Sequence, residues 1–295
     1  ARTRSTLFPL LEGISSISLL LLLALGSGQL QQGSLSIGSM VALIFYVGQL
    51  VFPTALLGFT LNTFQTGQVS LERVEELLSR RPLINDPVEP ECLEQPVRGE
   101  LEARNLHIRY DGSDCDTLDG LSFKIHSGEL VAVVGPVGCG KTTLARALGR
   151  MVEVPQHQLF LDGHDLTNLR LVDLREQIAL VPQEGYLFTS SLADNLRYGE
   201  PEADIGRVEA AAEQARLLGD VRGFPDGMNT LVGERGITLS GGQRQRTALG
   251  RALLLKAPVL VLDDALASVD NNTAAEILAS VRRQTQRTIV MISHQ

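Results

Sequence analysis

The stretch Leu130-Val131-Ala132-Val133-Val134-Gly135-Pro136-Val137-Gly138-Cys139-Gly140-Lys141-Thr142-Thr143 decides the fold. Its first five residues are a short apolar run suited to a buried strand. A glycine-rich turn follows, and Lys141 to Arg150 then carries a helical pattern. Strand, G-x-x-x-x-G-K-[ST] and helix, in that order, are the context of a phosphate-binding loop. The glycines let N–H groups curl around phosphate oxygens, and the helix N-terminus adds the positive end of its dipole. Lys141 is expected to reach the β- and γ-phosphates, and the Thr142 hydroxyl to coordinate Mg²⁺. Cys139 fills a position that the motif leaves free, and is read as a spectator.

Two downstream features extend this reading. The apolar run Pro258-Val259-Leu260-Val261-Leu262 ends in Asp263. A carboxylate at the tip of a buried strand can hold Mg²⁺, often through water. Upstream of that run, Leu239-Ser240-Gly241-Gly242-Gln243 opens a helical pattern that continues to about Leu255. Ser240 and the N–H groups of Gly241 and Gly242 can present donors and a positive dipole end to a γ-phosphate.

Phosphate loop first and LSGGQ second, the latter shortly before the apolar run and its aspartate, resembles the nucleotide-binding domain of an ATP-binding cassette (ABC) protein. The resemblance covers Val97 to Gln295. It implies ATP and Mg²⁺ as ligands, with Gly135 to Thr143 around the phosphates and Thr142, Gln183 and Asp263 at the metal. Tyr110 matches the aromatic residue that stacks on adenine. Gln183, in Val181-Pro182-Gln183, matches the glutamine that touches Mg²⁺ and the attacking water. Asp270 matches the loop that crosses between two cassettes, and His294 the histidine that contacts the γ-phosphate. Gly233-Glu234-Arg235-Gly236 resembles a segment typical of exporters. In the family, Ser240, Gly241, Gly242 and Gln243 serve a phosphate bound on the other subunit, so the resemblance implies a working dimer.

One position departs from the family. Most hydrolysing cassettes carry Glu just after the magnesium aspartate, where this chain has Asp264. The shorter side chain falls back by one C–C bond, about 1.5 Å, and misplacement of about 1 Å can cost on the order of 100-fold in rate. The chain's own phosphate site is therefore expected to bind ATP and hydrolyse it slowly, with Asp264, His294 and Gln183 as its catalytic set. An intact LSGGQ beside a shortened carboxylate resembles one half of a heterodimeric exporter. A homodimer in which Asp264 is a poorer but working base stays open.

The N-terminal part is of another kind. From Gly13 to Leu71 there is no Asp, Glu, Lys or Arg. Two apolar stretches, about 7–25 and 37–64, each supply roughly the 20 residues that a bilayer-spanning helix needs. Arg2 and Arg4 precede the first, Arg73, Arg80 and Arg81 follow the second, and the loop between them has no basic residue. The positive-inside rule gives an in-out-in hairpin with the ATP-binding part in the cytosol. A cleaved signal peptide ending near Ala24-Leu25-Gly26-Ser27 is the competing reading. Leu71, Val74, Leu77 and Leu78 continue a helical spacing among charges, and Pro82, Pro87, Pro90 and Pro96 then mark a linker.

The expected fold is thus an α-helical transmembrane hairpin followed by an α/β P-loop NTPase domain of ABC type. The boundaries are 1–81 for the hairpin and its cytoplasmic extension, 82–96 for the linker and 97–295 for the cassette. The spans resemble the last two helices of an exporter-type subunit in a plasma or bacterial inner membrane. The chain lacks an initial Met and stops just after His294, so a fragment without helices one to four and without the end of the cassette is expected.

The net charge of −8 and the absence of a basic run argue against a nucleic-acid partner, and with the two spans against a soluble ABC ATPase of DNA repair or translation. Membrane lipid and a second half-transporter are the expected partners. The function that follows is ATP-driven export of a drug, lipid or peptide; the alternative is an ATP-sensing regulatory subunit that does not hydrolyse. Cys92, Cys115 and Cys139 show no metal-binding spacing.

Overall fold

The computed structural model describes residues 2–80, 82–233, 236, 238–284 and 286–293. It divides into two compact units, Ala1–Arg81 and Pro82–Gln295.

The first unit is a hairpin of helices α1 (Arg2–Gln31) and α2 (Ile37–Ser79). Both are long and apolar enough to cross a membrane. Their apolar side chains point outward: Leu25, Phe45 and Phe52 are each more than 60% exposed. A soluble core helix would bury such residues, whereas a bilayer solvates them. α1 does not stop at Gly26, where composition suggested a polar loop. It continues through Gly26-Ser27-Gly28, and the Ser27 hydroxyl donates to the Ala24 carbonyl at 2.9 Å. Folding the polar side chain back onto the helix in this way satisfies it without a loop. The turn is therefore 32–36. It ends at Ser36, whose hydroxyl accepts the Ser39 N–H at 3.1 Å as the N-cap of α2. With 43 residues, α2 is about 65 Å long at the helical rise, twice the ~30 Å hydrocarbon layer. Its charged C-terminal part, from Glu72 onward, extends the apolar part in one continuous helix through Pro53.

The second unit has two sheets. Strands β1 (Leu101–Ile108), β2 (Leu118–Ile125), β4 (Leu159–Leu161) and β5 (His164–Asp165) form an antiparallel sheet in the order β2-β1-β4-β5. Strands β3 (Leu130–Val134), β6 (Ile178–Val181), β7 (Val259–Asp263) and β8 (Thr288–Ser293) form a parallel sheet in the order β3-β8-β7-β6. Every residue of β7 is buried, as expected for the unbroken apolar run of an inner parallel strand covered on both faces. Helix α3 (Lys141–Leu148) follows β3, and α4 (Leu171–Gln177) leads into β6. Helices α5 (Leu192–Leu196), α6 (Ile205–Gln214), α7 (Leu218–Val221) and α8 (Gly241–Leu254) lie between β6 and β7, and α9 (Asn271–Gln284) lies between β7 and β8.

The proline-marked segment 82–96 lies along this second unit. The buried Arg150 guanidinium donates to the carbonyls of Leu166, Leu169 and Asn85 at 3.1–3.2 Å. The Asp86 carboxylate accepts the Leu171 N–H at 2.7 Å, and the Glu91 N–H donates to the Asn168 carbonyl at 2.8 Å. Arg251 joins α8 to the segment after β6. It donates to the carbonyls of Asn195 and Tyr186 and lies over the Phe188 and Tyr198 rings. Burial pushes its guanidinium pKa down from the usual value.

Candidate nucleotide-binding site

The parallel sheet delivers the site at the C-terminal ends of its strands, the usual ligand position in an open α/β sheet. β3 runs into Gly135, and the turn to α3 is made by Gly138 and Gly140 with φ of +84° and +91°. Gly140 is the N-cap of α3 and carries no capping side chain, which leaves the first-turn N–H groups without a side-chain acceptor. A Cβ at Gly140 would lie 2.7 Å from both the Thr117 carbonyl oxygen and Leu118 Cδ2. At Gly140 there is thus room for backbone only. Lys141 is 5% exposed, and its Nζ donates to the carbonyls of Gly135 and Pro136 at 2.7 and 2.9 Å. The ammonium is therefore held inside the curl of the loop.

Thr142 and Asp263 meet. The threonine hydroxyl donates to Asp263 Oδ1 at 3.2 Å, and Asp263 is 3% exposed at the end of β7. A hydroxyl and a carboxylate at this separation are a hard oxygen donor set, which suits Mg²⁺. The next residue, Asp264, has a φ of +51°. Its N–H donates to the Ile292 carbonyl at 3.0 Å, which ties the chain to β8. Its carboxylate accepts Gln183 Nε2 at 3.4 Å, so β6 and β7 bring the expected glutamine and the shortened carboxylate together. Tyr110, just beyond β1, reaches α3 through a hydroxyl–hydroxyl contact of 3.2 Å with Thr143. Cys139 is exposed and, like Cys92 and Cys115, a free thiol. His294, Glu234 and Arg235 lie outside the described residues.

The LSGGQ turn is a separate construction. Ser240 is the N-cap of α8 and forms a capping box with Gln243: Ser240 Oγ accepts the Gln243 N–H at 3.2 Å, and Gln243 Oε1 accepts the Ser240 N–H at 2.9 Å. Gly241 and Gly242 follow in the first turn. A Cβ on Gly242 would lie 2.9 Å from the Ser268 carbonyl oxygen, and the Ser268 N–H donates to Gln245 Oε1 at 2.9 Å. The loop after β7 therefore rests on the start of α8. Asp270, at the end of that loop, accepts the Thr273 N–H at 2.9 Å; this hydrogen bond, foremost, holds its carboxyl below the usual range. Among the described residues, Ser240 to Gln243 make no hydrogen bond to the phosphate loop of their own chain. Sequence reasoning missed three supports of this turn, Asp220, Gln245 and Ser268. Gln243 Nε2 donates to Asp220 at 3.1 Å across 23 positions, a separation that no local motif signals.

Comparison with known proteins identifies the family. The pattern of the ABC transporter family matches residues 118–267. The multidrug resistance-like ATP-binding protein MdlA of Buchnera aphidicola is 33% identical over 100% of this chain and 51% of its own length. An ATP-dependent lipid A-core flippase of Aromatoleum aromaticum is 39% identical over 89% of this chain and 44% of its own length. A solved bacterial Atm1-family ABC exporter with ATP bound superposes with a TM-score of 0.83 at 31% identity, over 100% of this chain and 52% of that one. The chain spans about half the length of the curated relatives it matches. The motifs, the geometry that joins Lys141, Thr142 and Asp263, and these likenesses lead to one assignment: the chain belongs to the ABC transporter family.

Proposed function

We propose that this chain is the membrane-exit helices and ATP-binding cassette of an ATP-driven exporter of hydrophobic or amphipathic molecules. The observation that carries the reading is the meeting of Thr142 with Asp263 and of Gln183 with Asp264 at one end of the parallel sheet. The apolar hairpin supports a membrane-spanning part, and the relatives named for multidrug resistance and lipid A-core flipping support export and the kind of cargo. In this reading Gly135 to Thr143 cradle the phosphates of ATP, Lys141 neutralises their charge, and Tyr110 supports the adenine. Thr142, Gln183 and Asp263 would hold Mg²⁺, which when bound would neutralise charge developing on the phosphate oxygens. Asp264 and Gln183 orient water toward the γ-phosphate, and His294 contacts that phosphate.

Ser240, Gly241, Gly242 and Gln243 complete a second site, whose phosphate loop belongs to another half-transporter. The short Asp264 makes the chain's own site slow, so the pair is asymmetric: one site retains ATP and the other turns it over. Asp264 also favours the second reading, an ATP-sensing subunit without net hydrolysis.

ATP turnover by the complete subunit alone in lipid, with ATP binding assayed in parallel, separates these possibilities. Binding with negligible turnover is expected, together with turnover once the partner half-transporter is added. Robust turnover by a self-paired dimer would refute the slow-site assignment and make Asp264 a sufficient base. Absence of turnover even with the partner would leave the sensing role.

A further inference from the structure

The LSGGQ turn is held from outside by a carboxylate that neither phosphate binding nor the metal uses. Asp220, in the short helix α7, accepts Gln243 Nε2 at 3.1 Å through Oδ1 and Arg246 Nη2 at 2.6 Å through Oδ2. Gln243 spends its other end on the capping box, where Oε1 accepts the Ser240 N–H at 2.9 Å. A primary amide has one donating end and one accepting end, and an ionised carboxylate only accepts. Asp220 therefore dictates which way the Gln243 amide faces. With the amide reversed, its oxygen would oppose the carboxylate and its NH₂ would oppose the Ser240 N–H, so both contacts would become repulsive. Arg246 closes the other side. Its Nη1 lies 3.5 Å from the position of a Cβ on Gly242, so the guanidinium rests against the glycine turn. The Arg246 and Asp220 side chains are only 15% and 26% exposed, and solvent screens such a pair less than a surface pair.

We propose that Asp220 is a positioning residue for the signature turn. By fixing the Gln243 amide and the Arg246 guanidinium, it sets the direction in which the Ser240 hydroxyl and the Gly241 and Gly242 N–H groups point. The role rests on the reading above that this turn serves a γ-phosphate bound by the partner cassette. Asp220 touches no phosphate itself; its effect passes through Gln243 and Arg246.

The test uses the full-length subunit assembled with its partner in lipid vesicles, with Asp220→Asn, Asp220→Glu and Ser240→Ala compared. Asn keeps the volume of Asp but turns an NH₂ toward one of two donors. Asp220→Asn is expected to lower kcat for ATP about tenfold, in line with the cost of displacing preorganised donors. KM should change less than about twofold, and binding to the chain's own phosphate loop should hold. The thermal midpoint should stay within about 2 °C. Asp220→Glu, which still only accepts, should recover a substantial part of the rate. Wild-type kcat in Asp220→Asn beside an inactive Ser240→Ala would overturn the positioning role and leave the trans-site reading standing. Wild-type kcat in Ser240→Ala would overturn the trans-site reading, and the inference with it. Joint loss of thermal stability, own-loop binding and rate in Asp220→Asn would reduce Asp220 to a structural residue and also overturn the proposal.

Discussion

The phosphate loop and the signature turn both end in the N-terminus of a helix, yet they are built by opposite means. In the loop, the backbone makes the shape. Gly138 and Gly140 adopt conformations that other residues avoid, and Gly140 supplies no capping oxygen to α3. In the signature turn, side chains make the shape. Ser240 and Gln243 cap each other, Asp220 orients Gln243, and Ser268 buttresses Gly242. A backbone-built site is set by residues contiguous in sequence. A side-chain-built site depends on groups brought from elsewhere, so it can be tuned or weakened from a distance.

Four measurements would break or sharpen that contrast. The largest effect is expected from Gly140→Ala. A Cβ there meets backbone at 2.7 Å with φ at +91°, so the methyl cannot be accommodated by moving a side chain. ATP affinity should fall on the order of 100-fold by equilibrium binding, since the strained backbone and the clash with Thr117 and Leu118 would together deform the phosphate cradle. Near-normal affinity would show that the loop is less rigid than its backbone implies. Next, Asp264→Glu restores about 1.5 Å of reach. Turnover at the chain's own site should rise about tenfold with ATP binding unchanged; single-turnover hydrolysis with the partner's site disabled would show it. An unchanged rate would mean that the carboxylate length does not limit that site.

A smaller effect, about fivefold on turnover of the assembled transporter, is expected from Gly242→Ala, because Ser268 must give way. Own-loop ATP binding should remain, and its loss would mean that the two constructions are not separable. The smallest effect concerns the start of α9. The carboxyl of Asp270 is held below its ordinary value of 3.8, chiefly by the Thr273 N–H. A depressed carboxyl stabilises the fold above its unfolded pKa and loses that contribution as pH falls through the folded pKa. Because Thr273 loses its capping oxygen, Asp270→Ala should lower the thermal midpoint by about 2 °C at neutral pH, and the gap should shrink as pH falls below the ordinary value. A gap that persists in acid would assign the effect to something other than the charge.

The same contrast explains what was legible in the sequence. The phosphate loop, β7 with its terminal Asp263, and the capping residue Ser240 each occupy a few consecutive positions, and each has a spacing that backbone geometry enforces. The segment 82–96 was legible only as a break in helix. Prolines stop a helix, but they do not reveal that the Asn85 carbonyl and the Asp86 carboxylate dock on Arg150 and the start of α4. The end of α1 was misplaced because Gly26-Ser27-Gly28 has loop composition, while the Ser27 hydroxyl is satisfied within the helix. Asp220 was illegible for a further reason: it sits in a helix of four residues, too short to carry a periodicity, and acts on a residue 23 positions away.

Helix α2 has a mechanical consequence of its own. A continuous helix converts rotation at one end into travel at its tip, as far as it stays straight past Pro53, which lacks the N–H of a ladder bond. Over the ~65 Å of α2, a rocking of about 5° around one end carries the other about 6 Å, more than one helical turn of rise. An angular change near the exposed Phe45 and Phe52 would thereby become a larger displacement at Leu77 and Leu78. The gain grows with the length of the helix, so shortening its charged part should shorten the travel at its tip.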